Sequence, residues 1–405
     1  MTIDQNEQML ETLEVRIREL GPQEAAEALQ KESTETRLAL LIRLNPSVVQ
    51  DILDHFGPAE RERILSAAPR DVAQQWNRNQ TYPEGTVGRL MVPPVAIFRP
   101  DTTVAETIER LRDLVKEAVI TYGFVIDEAG VLIGVIVMRD LLFAEKETQL
   151  SNIMVKNPFF LRPEMQLKDA MKAVVVHHFP VYPVCDDRGR LIGKVRGVTL
   201  FAEQAFEISA QPGSMVGVEK EERLSTPWPR SLKSRHPWLQ LNLVTAFIAG
   251  GVVSFFQQTI DELVILAVFL PILAGQSGNT GCQALAVALR GLTLGDLKSG
   301  QEKRLVMKEA LLGFFNGALV GISAGIGMYI LARMQNNPAA ISLALIVFAA
   351  MIGSCVASGI SGAIVPLTLR KLGADPATAS SIFLTTATDV VSMGTLLGLA
   401  TIFLR

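Results

Sequence analysis

One acid in this sequence stands where acids are rarely tolerated. Asp389 lies inside the apolar stretch 377–404, which holds no Lys or Arg. In hydrocarbon an ionised carboxylate costs at least ~2.5–3.5 kcal/mol, so something must compensate it. The compensating group is either a passing cation or a bound proton. Thr385, Thr386 and Ser392 stand one turn from Asp389 and predict an oxygen-rich stripe on one helix. Oxygen donors suit a hard cation such as magnesium or calcium, and suit zinc or copper poorly. The plainer reading is a protonated Asp389 that makes one hydrogen bond between helices.

A second unusual run is Pro271-Ile-Leu-Ala-Gly275-Gln-Ser-Gly278-Asn279-Thr-Gly281-Cys-Gln283. Three glycines and a proline interleaved with amides predict a broken helix. Irregular backbone at membrane depth is tolerated only where it lines water or is buried in protein. Freed carbonyls there can face an ion. The glycines near 325–327 and 353–362 read instead as a small-residue packing seam.

Other chemistries find no support. The four histidines include no His-Glu-x-x-His pair, and Cys185, Cys282 and Cys355 lie far apart. No Gly-x-x-x-x-Gly-Lys-Ser/Thr run marks an ATPase, and no enzyme activity is expected. The net charge of −3 gives no reason to expect nucleic-acid binding.

The elements that must carry Asp389 follow from the charge distribution. Residues 238–405 hold only 7 acids and 9 bases, whereas residues 1–237 hold 34 acids and 29 bases. Five apolar segments, about 238–259, 263–289, 305–333, 339–369 and 377–404, are each long enough to span a bilayer. The loops alternate in charge. Arg230, Lys233 and Arg235 precede the first segment, Arg290, Lys298, Lys303 and Arg304 follow the second, and Arg370 and Lys371 follow the fourth. Asp261-Glu262 and the nearly neutral 333–337 lie on the other side. Positive loops face the cytosol, which predicts an internal N-terminus and an external C-terminus. Glu309, beside Lys308 at the start of the third segment, is expected to snorkel or pair. The acidic, polar start MTIDQNEQML does not read as a secretory signal.

Two repeats precede the membrane region. Over 21–77, breaker or cap pairs recur every twelve residues: Gly21-Pro22, Ser33-Thr34, Asn45-Pro46, Gly57-Pro58 and Pro69-Arg70. Each starts a short helix whose apolar residues must stack on neighbours, which predicts an α-helical superhelix. Over 91–205 a second module occurs twice. Met91 matches Met154 and Arg99-Pro100 matches Arg162-Pro163, while Gly130 and Gly134 match Gly189 and Gly193. Each copy predicts a helix (104–115, 167–176) and two apolar strands joined by a turn. A helix is expected from Thr199 through Glu207, then a linker over Gln211-Pro-Gly, Glu219–Arg223 and Pro227-Trp-Pro.

The duplicated module resembles a pair of CBS domains, through Ile-Met-Val-Lys-Asn-Pro, Asp-Asp-Arg-Gly-Arg-Leu-Ile-Gly and Arg139-Asp140-Leu141-Leu142. CBS pairs are regulatory modules, and some bind adenine nucleotides through a Gly-h-h-(Ser/Thr)-x-x-Asp exit. The copies here read Gly134-Val-Ile-Val137-Met-Arg-Asp140 and Gly193-Lys-Val-Arg196-Gly-Val-Thr199, so ATP at the CBS pair is not expected. The chain as a whole resembles the MgtE family of magnesium channels and transporters. The signatures are Pro271, Gly275, Gly278-Asn279-Thr-Gly281, Gln283, Arg290-Gly291 and Thr385-Thr386-Ala-Thr-Asp389. The family usually has two glycines before that asparagine, where this chain has Ser277-Gly278. The resemblance implies a homodimer with its pore along the interface and Asp389 of each subunit holding hydrated Mg2+. It also implies Gly275, Asn279 and the carbonyl near Thr385 as pore neighbours. Cytosolic magnesium on acidic faces, with Glu203 and Glu207 on the connecting helix, is expected to close the pore.

The sequence therefore predicts a multidomain protein. Its parts are an α-helical superhelix (1–80), an α/β tandem CBS pair (81–200), a plug-like connecting helix and linker (201–237), and an all-α membrane pore domain (238–405). The expected function is potential-driven Mg2+ entry across the inner membrane, with membrane lipid and divalent cations as partners. Two alternatives are a proton- or sodium-coupled divalent-cation exporter and a membrane sensor that transports nothing.

Overall fold

In the computed structural model, residues 3–117, 119–297, 300–378 and 380–404 are described. Lys298 of the basic loop and the terminal Arg405 lie outside them. The chain folds as two compact units, one of residues 1–207 with 223–226 and one of residues 208–222 with 227–405.

The first unit opens with six helices: α1 Ile3–Arg18, α2 Pro22–Leu29, α3 Thr34–Arg43, α4 Pro46–Asp54, α5 Pro58–Ala67 and α6 Arg70–Gln80. The breakers sit where the repeat places them. Gly21, Ser33, Asn45, Gly57 and Pro69 are the N-cap residues of α2 to α6. Ser33 Oγ accepts the Thr36 N–H at 3.1 Å, and Asn45 Oδ1 accepts the Ser47 N–H at 3.2 Å. Each helix packs on the next but one, α1 on α3 through α4 on α6. Leu29, Leu40, Leu41, Ile52, Leu53, Ile64 and Trp76 meet in their common core. The helix α1 was not visible as part of the repeat, because its polar residues obscure the stripe Leu10, Leu13 and Ile17.

The duplicated module follows as β1 Ile97–Phe98, α7 Val104–Glu117, β2 Tyr122–Ile126, β3 Leu132–Val137, α8 Met138–Phe143, α9 Leu150–Ile153, β4 Val155–Lys156, α10 Leu167–His177, β5 Val181–Cys185 and β6 Leu191–Arg196. One sheet has order β1-β2-β3-β4, and β5 pairs with β6 in a second. The residues that matched between copies meet each other in space. Met154 lies against Gly134, and Met91 Sδ would stand 2.9 Å from a Cβ on Gly193. The turns interlock too: Leu132 N–H donates to Gly189 O and Leu191 N–H to Gly130 O, both at 3.0 Å. A bulkier residue at either Gly134 or Gly193 would push the opposite copy's methionine out of its seat.

Helix α11 Gly197–Met215 begins in the first unit, and its residues from Ile208 on belong with the second. The expected break at Gln211-Pro212-Gly213 does not occur, and Pro212 lies inside the helix. So near the C-terminus the proline removes only one late hydrogen bond.

The second unit contains α12 Trp228–Phe255, α13 Gln257–Glu262, α14 Ile265–Thr293, α15 Glu302–Met334, α16 Ala340–Lys371 and α17 Ser380–Leu404. Five of these, all but α13, are long and apolar enough to cross a membrane. The first starts ten residues earlier than the expected 238. Proline in a first turn is favourable, so Pro227-Trp-Pro229 starts α12 rather than ending a linker. α16 lies centrally, burying Leu343, Val347, Met351 and Cys355 against α14, α15 and α17. Its seam with α15 is built on Gly313, Gly317, Gly321 and Gly325. A Cβ on Gly317 would stand 2.8 Å from Ile352 Cα, and one on Gly325 3.0 Å from Ala344 O. Such close backbones supply the packing that apolar burial cannot supply in lipid.

A candidate cation pathway along two membrane helices

The Pro271–Gln283 run is not broken. It lies within α14, which is a single helix from Ile265 to Thr293. Its carbonyls remain in the helical ladder and are not freed for an ion. Each glycine weakens a helix by about 1 kcal/mol, but an unpaired peptide group in hydrocarbon costs several kcal/mol. Gly281 serves packing instead. A Cβ on Gly281 would stand 2.9 Å from Leu384 Cδ1 of α17, and one on Gly362 of α16 2.8 Å from Ala284 Cβ. Gly275 differs, because a Cβ there would meet nothing within 4 Å. Gly275, Gln276, Asn279 and Gln283 recur at helical spacing and are all exposed within the single chain. Ser277 and Gly281, on the opposite side of α14, are buried.

Asp389 is half-buried on α17. Its carboxylate has no hydrogen bond or ion pair among the described residues. The expected oxygen stripe forms only in part. Thr385 and Thr386 are half-buried like Asp389, but Ser392 is fully buried and faces the helix packing. Thr385 and Thr386 donate their hydroxyl protons to Ile382 O at 3.1 and 2.8 Å, so their lone pairs stay available as acceptors. The two helices meet at Gly278, where a Cβ would stand 4.0 Å from Thr388 Oγ1. Asn279 and Asp389 are the next residues on each helix.

Among the described residues no three His, Cys, Asp or Glu cluster to hold a metal ion. One carboxylate with neutral oxygens beside it can attract a hard cation but cannot strip its water. Such a site fits a hydrated ion in transit better than a resident metal.

Glu309 does not snorkel. It is buried at the α15–α16 seam and, as the other expectation has it, pairs with Lys308, whose Nζ stands 3.5 Å from its Oε1 as an ion pair without a hydrogen bond. A glutamate at the position where the Gly325-Gly321-Gly317-Gly313 series would continue was the only signal for this burial.

The two acids of α11 are brought together, one turn apart and half-buried. Ser47 Oγ of α4 donates to Glu203 Oε2 at 2.7 Å. Burial raises the Glu203 carboxyl above its ordinary range, the Ser47 bond opposes this, and the Glu207 charge adds to it. Residues 208–222 are tied to the basic end of the membrane helices. Ser381 Oγ donates to Met215 O at 2.7 Å, Gln211 bonds Thr293, and Lys220 Nζ lies 3.6 Å from Asp375 Oδ2.

Comparison with known proteins bears on both units. The MgtE family model, described as a divalent cation transporter, matches residues 270–399. The CBS domain model matches residues 87–147 and 150–196. A magnesium transporter MgtE from Enterococcus faecalis is 29% identical over 325 residues, covering 80% of this chain and 70% of the relative. One from Bacillus subtilis is 26% identical over 373 residues, covering 92% and 81%. A crystal structure of the cytosolic domain of the Mg2+ channel MgtE in complex with ATP aligns with a TM-score of 0.42 at 28% identity, over 48% of this chain and 78% of that one. The region 270–399, matched by the divalent cation transporter model, contains Gly275, Asn279, Thr385 and Asp389, and a CBS pair stands ahead of it, so the chain is similar to MgtE divalent cation transporters in both parts.

Proposed function

We propose that the protein is a magnesium channel or transporter that mediates passive, potential-driven Mg2+ uptake across the inner membrane. The observation that carries this reading is the half-buried Asp389 carboxylate, without a protein partner among the described residues. Both relatives carry the name magnesium transporter. At −100 mV a divalent ion gains about 4.6 kcal/mol on entering, twice the figure for one charge. The functional unit is a homodimer in this reading. One chain offers a single deep carboxylate, and two facing across an axis provide the pair that a hydrated magnesium ion takes. The exposed face Gly275, Asn279 and Gln283 then turns toward the axis, with Thr385 beside it.

Gating follows from the acids of α11. Glu203 and Glu207 repel one another until cytosolic Mg2+ bridges them, and residues 208–222 then cover the cytosolic mouth. In this reading the basic loops face the cytosol, with the N-terminus inside and the C-terminus outside. The CBS pair acts here as a mechanical link that does not require ATP. The test is Mg2+ flux into ion-depleted liposomes containing purified protein, under an imposed potential and then under a pH gradient alone. Flux that follows the potential supports the channel. Flux that follows the pH gradient would replace it with the proton-coupled exporter, and no flux with the membrane sensor.

A further inference from the structure

The seam between α15 and α16 ends before the helices do. At Gly313, and where Gly359 meets the backbone of Glu309, the two helices touch. One turn nearer the basic ends, Val306, Met307, Ile364 and Leu367 take the place of glycines and hold the helices apart. The result is a cleft of about 470 Å³, lined by these four residues with Glu302, Lys303, Thr368 and Lys371 at its rim. Leu367 is buried in its floor, while Met307 and Ile364 are 70% and 43% exposed on its sides.

The rim is cationic. The Glu302 carboxylate caps its own helix, accepting the Gly300 N–H at 2.8 Å. Thr368 donates its hydroxyl proton to Ile364 O at 2.9 Å. Lys303 and Lys371 are exposed and make no ion-pair contact among the described residues, although the Lys371 charge also acts on the nearby Glu302 carboxylate, so the rim sets one acid against two lysines. An apolar cleft with two exposed ammonium groups at its mouth, against one carboxylate that already caps its own helix, on helices long and apolar enough to cross a membrane, matches a molecule with an acyl chain and an anionic head. A neutral lipid leaves the lysines unpaired, and a small soluble anion leaves the apolar walls uncovered.

We propose that this cleft seats one anionic phospholipid, its phosphate held by Lys303 and Lys371 and an acyl chain lying along Met307 and Ile364. Basic pockets between membrane helices at the cytosolic side take anionic headgroups in this manner. The site is separate from the Asp389 pathway, and its test needs no transport measurement.

The test uses full-length protein, stripped of lipid in detergent and incubated with equal amounts of phosphatidylglycerol and phosphatidylcholine of matched chains. Bound lipid is counted by native mass spectrometry. The wild type should retain phosphatidylglycerol selectively. The double variant Lys303→Gln/Lys371→Gln should bind it roughly twenty-five-fold more weakly, about fivefold per lysine. Met307→Trp keeps both charges but fills the cleft, and it should also lose the lipid. Glycerophosphoglycerol, the same headgroup without chains, should not compete. Equal binding by wild type and the double variant would overturn the proposal, as would equal retention of the two lipids. Competition by the chain-free headgroup would reassign the cleft to a soluble phosphate ester. Cross-linking of Met307→Cys to a second chain would show that protein covers it instead.

Discussion

Replacing Asp389 by Asn removes one charge and little else. Shape and hydrogen-bonding capacity are nearly kept, and no protein group among the described residues loses a partner, because none holds the carboxylate. The fold should therefore survive. A charge at membrane depth costs at least ~2.5–3.5 kcal/mol, so its removal should leave thermal stability unchanged or raised. The loss falls on the ion. At about 4 Å and an effective dielectric near 20, two unit charges attract by about 4 kcal/mol, and a divalent ion doubles that. Desolvation offsets much of this attraction. Removing one partner of a close charge pair typically costs 2–5 kcal/mol, which corresponds to roughly thirty- to several-thousand-fold in occupancy.

The assay is Mg2+ flux into liposomes at a fixed potassium-diffusion potential, read by an internal magnesium-sensitive dye. Asp389→Asn should lower flux at limiting Mg2+ by at least roughly thirty-fold and weaken discrimination against monovalent ions. Asp389→Glu should keep partial flux with poorer discrimination, because the longer arm crowds a hydrated ion. Asp389→Ala should abolish flux and still elute as a folded protein. Wild-type flux by Asp389→Asn would refute the reasoning and leave Asp389 as a protonated group in a helix contact.

Four further tests address other parts of the structure. Gly313→Ala drives a Cβ into the Cys355 carbonyl and to 2.9 Å from Val356 Cα, so it should lower stability in detergent by about 1–3 kcal/mol. Gly275→Ala, with nothing within 4 Å, should leave the melting temperature alone and change only flux. The first unit should lose stability as pH rises from the ordinary glutamate range through the raised value of Glu203, because the folded state holds that proton more tightly. Denaturant titrations across pH should show this slope flattened in Glu203→Gln, and an unchanged slope would count against the assignment. For topology, single cysteines at Gln335 and Leu372, with Cys282 and Cys355 replaced, should label with a membrane-impermeant maleimide from outside and only after permeabilisation, respectively. Cys185 should stay silent, since burial pushes its thiol up to about 12. The reverse pattern would invert the protein in the membrane.

What was legible in the sequence depended on how local the cause was. A proline or capping residue every twelve positions starts a helix wherever it falls, so the superhelix could be read directly from Gly21 to Pro69. Glycines are harder, because the same residue frees a backbone or admits a neighbour. Gly281, in the run that predicts a broken helix, instead admits α17, information that resides in Leu384 a hundred residues away. Prolines misled for a related reason. Pro229 and Pro212 resemble linker residues, yet one opens α12 and the other is carried inside α11. Asp389 was conspicuous because charge in an apolar run is costly whatever the fold. Ser392 was placed beside it by helical spacing alone, which cannot tell the packed side of α17 from its open side.

For the proposed pathway, the continuity of α14 changes how an ion would be selected. A broken helix offers carbonyl dipoles fixed at contact distance, and such a site must dehydrate its ion. An intact helix keeps those dipoles along its own axis and presents side chains instead. Here these are the Asn279 amide and the Gln283 amide on the face left open by Gly275, with one carboxylate on the neighbouring helix. Amides and a single charge bind the water around a cation more readily than the bare cation. The smallest divalent ions hold their water most tightly, and a path of this kind favours ions that cross with the first shell intact. Selection then rests on charge and on the diameter of the hydrated ion. Substituting Asn279 by Leu, which keeps size and removes the amide, should reduce magnesium flux more than Asn279→Gln does. Equal flux by the two variants would show that the amide contacts nothing that passes.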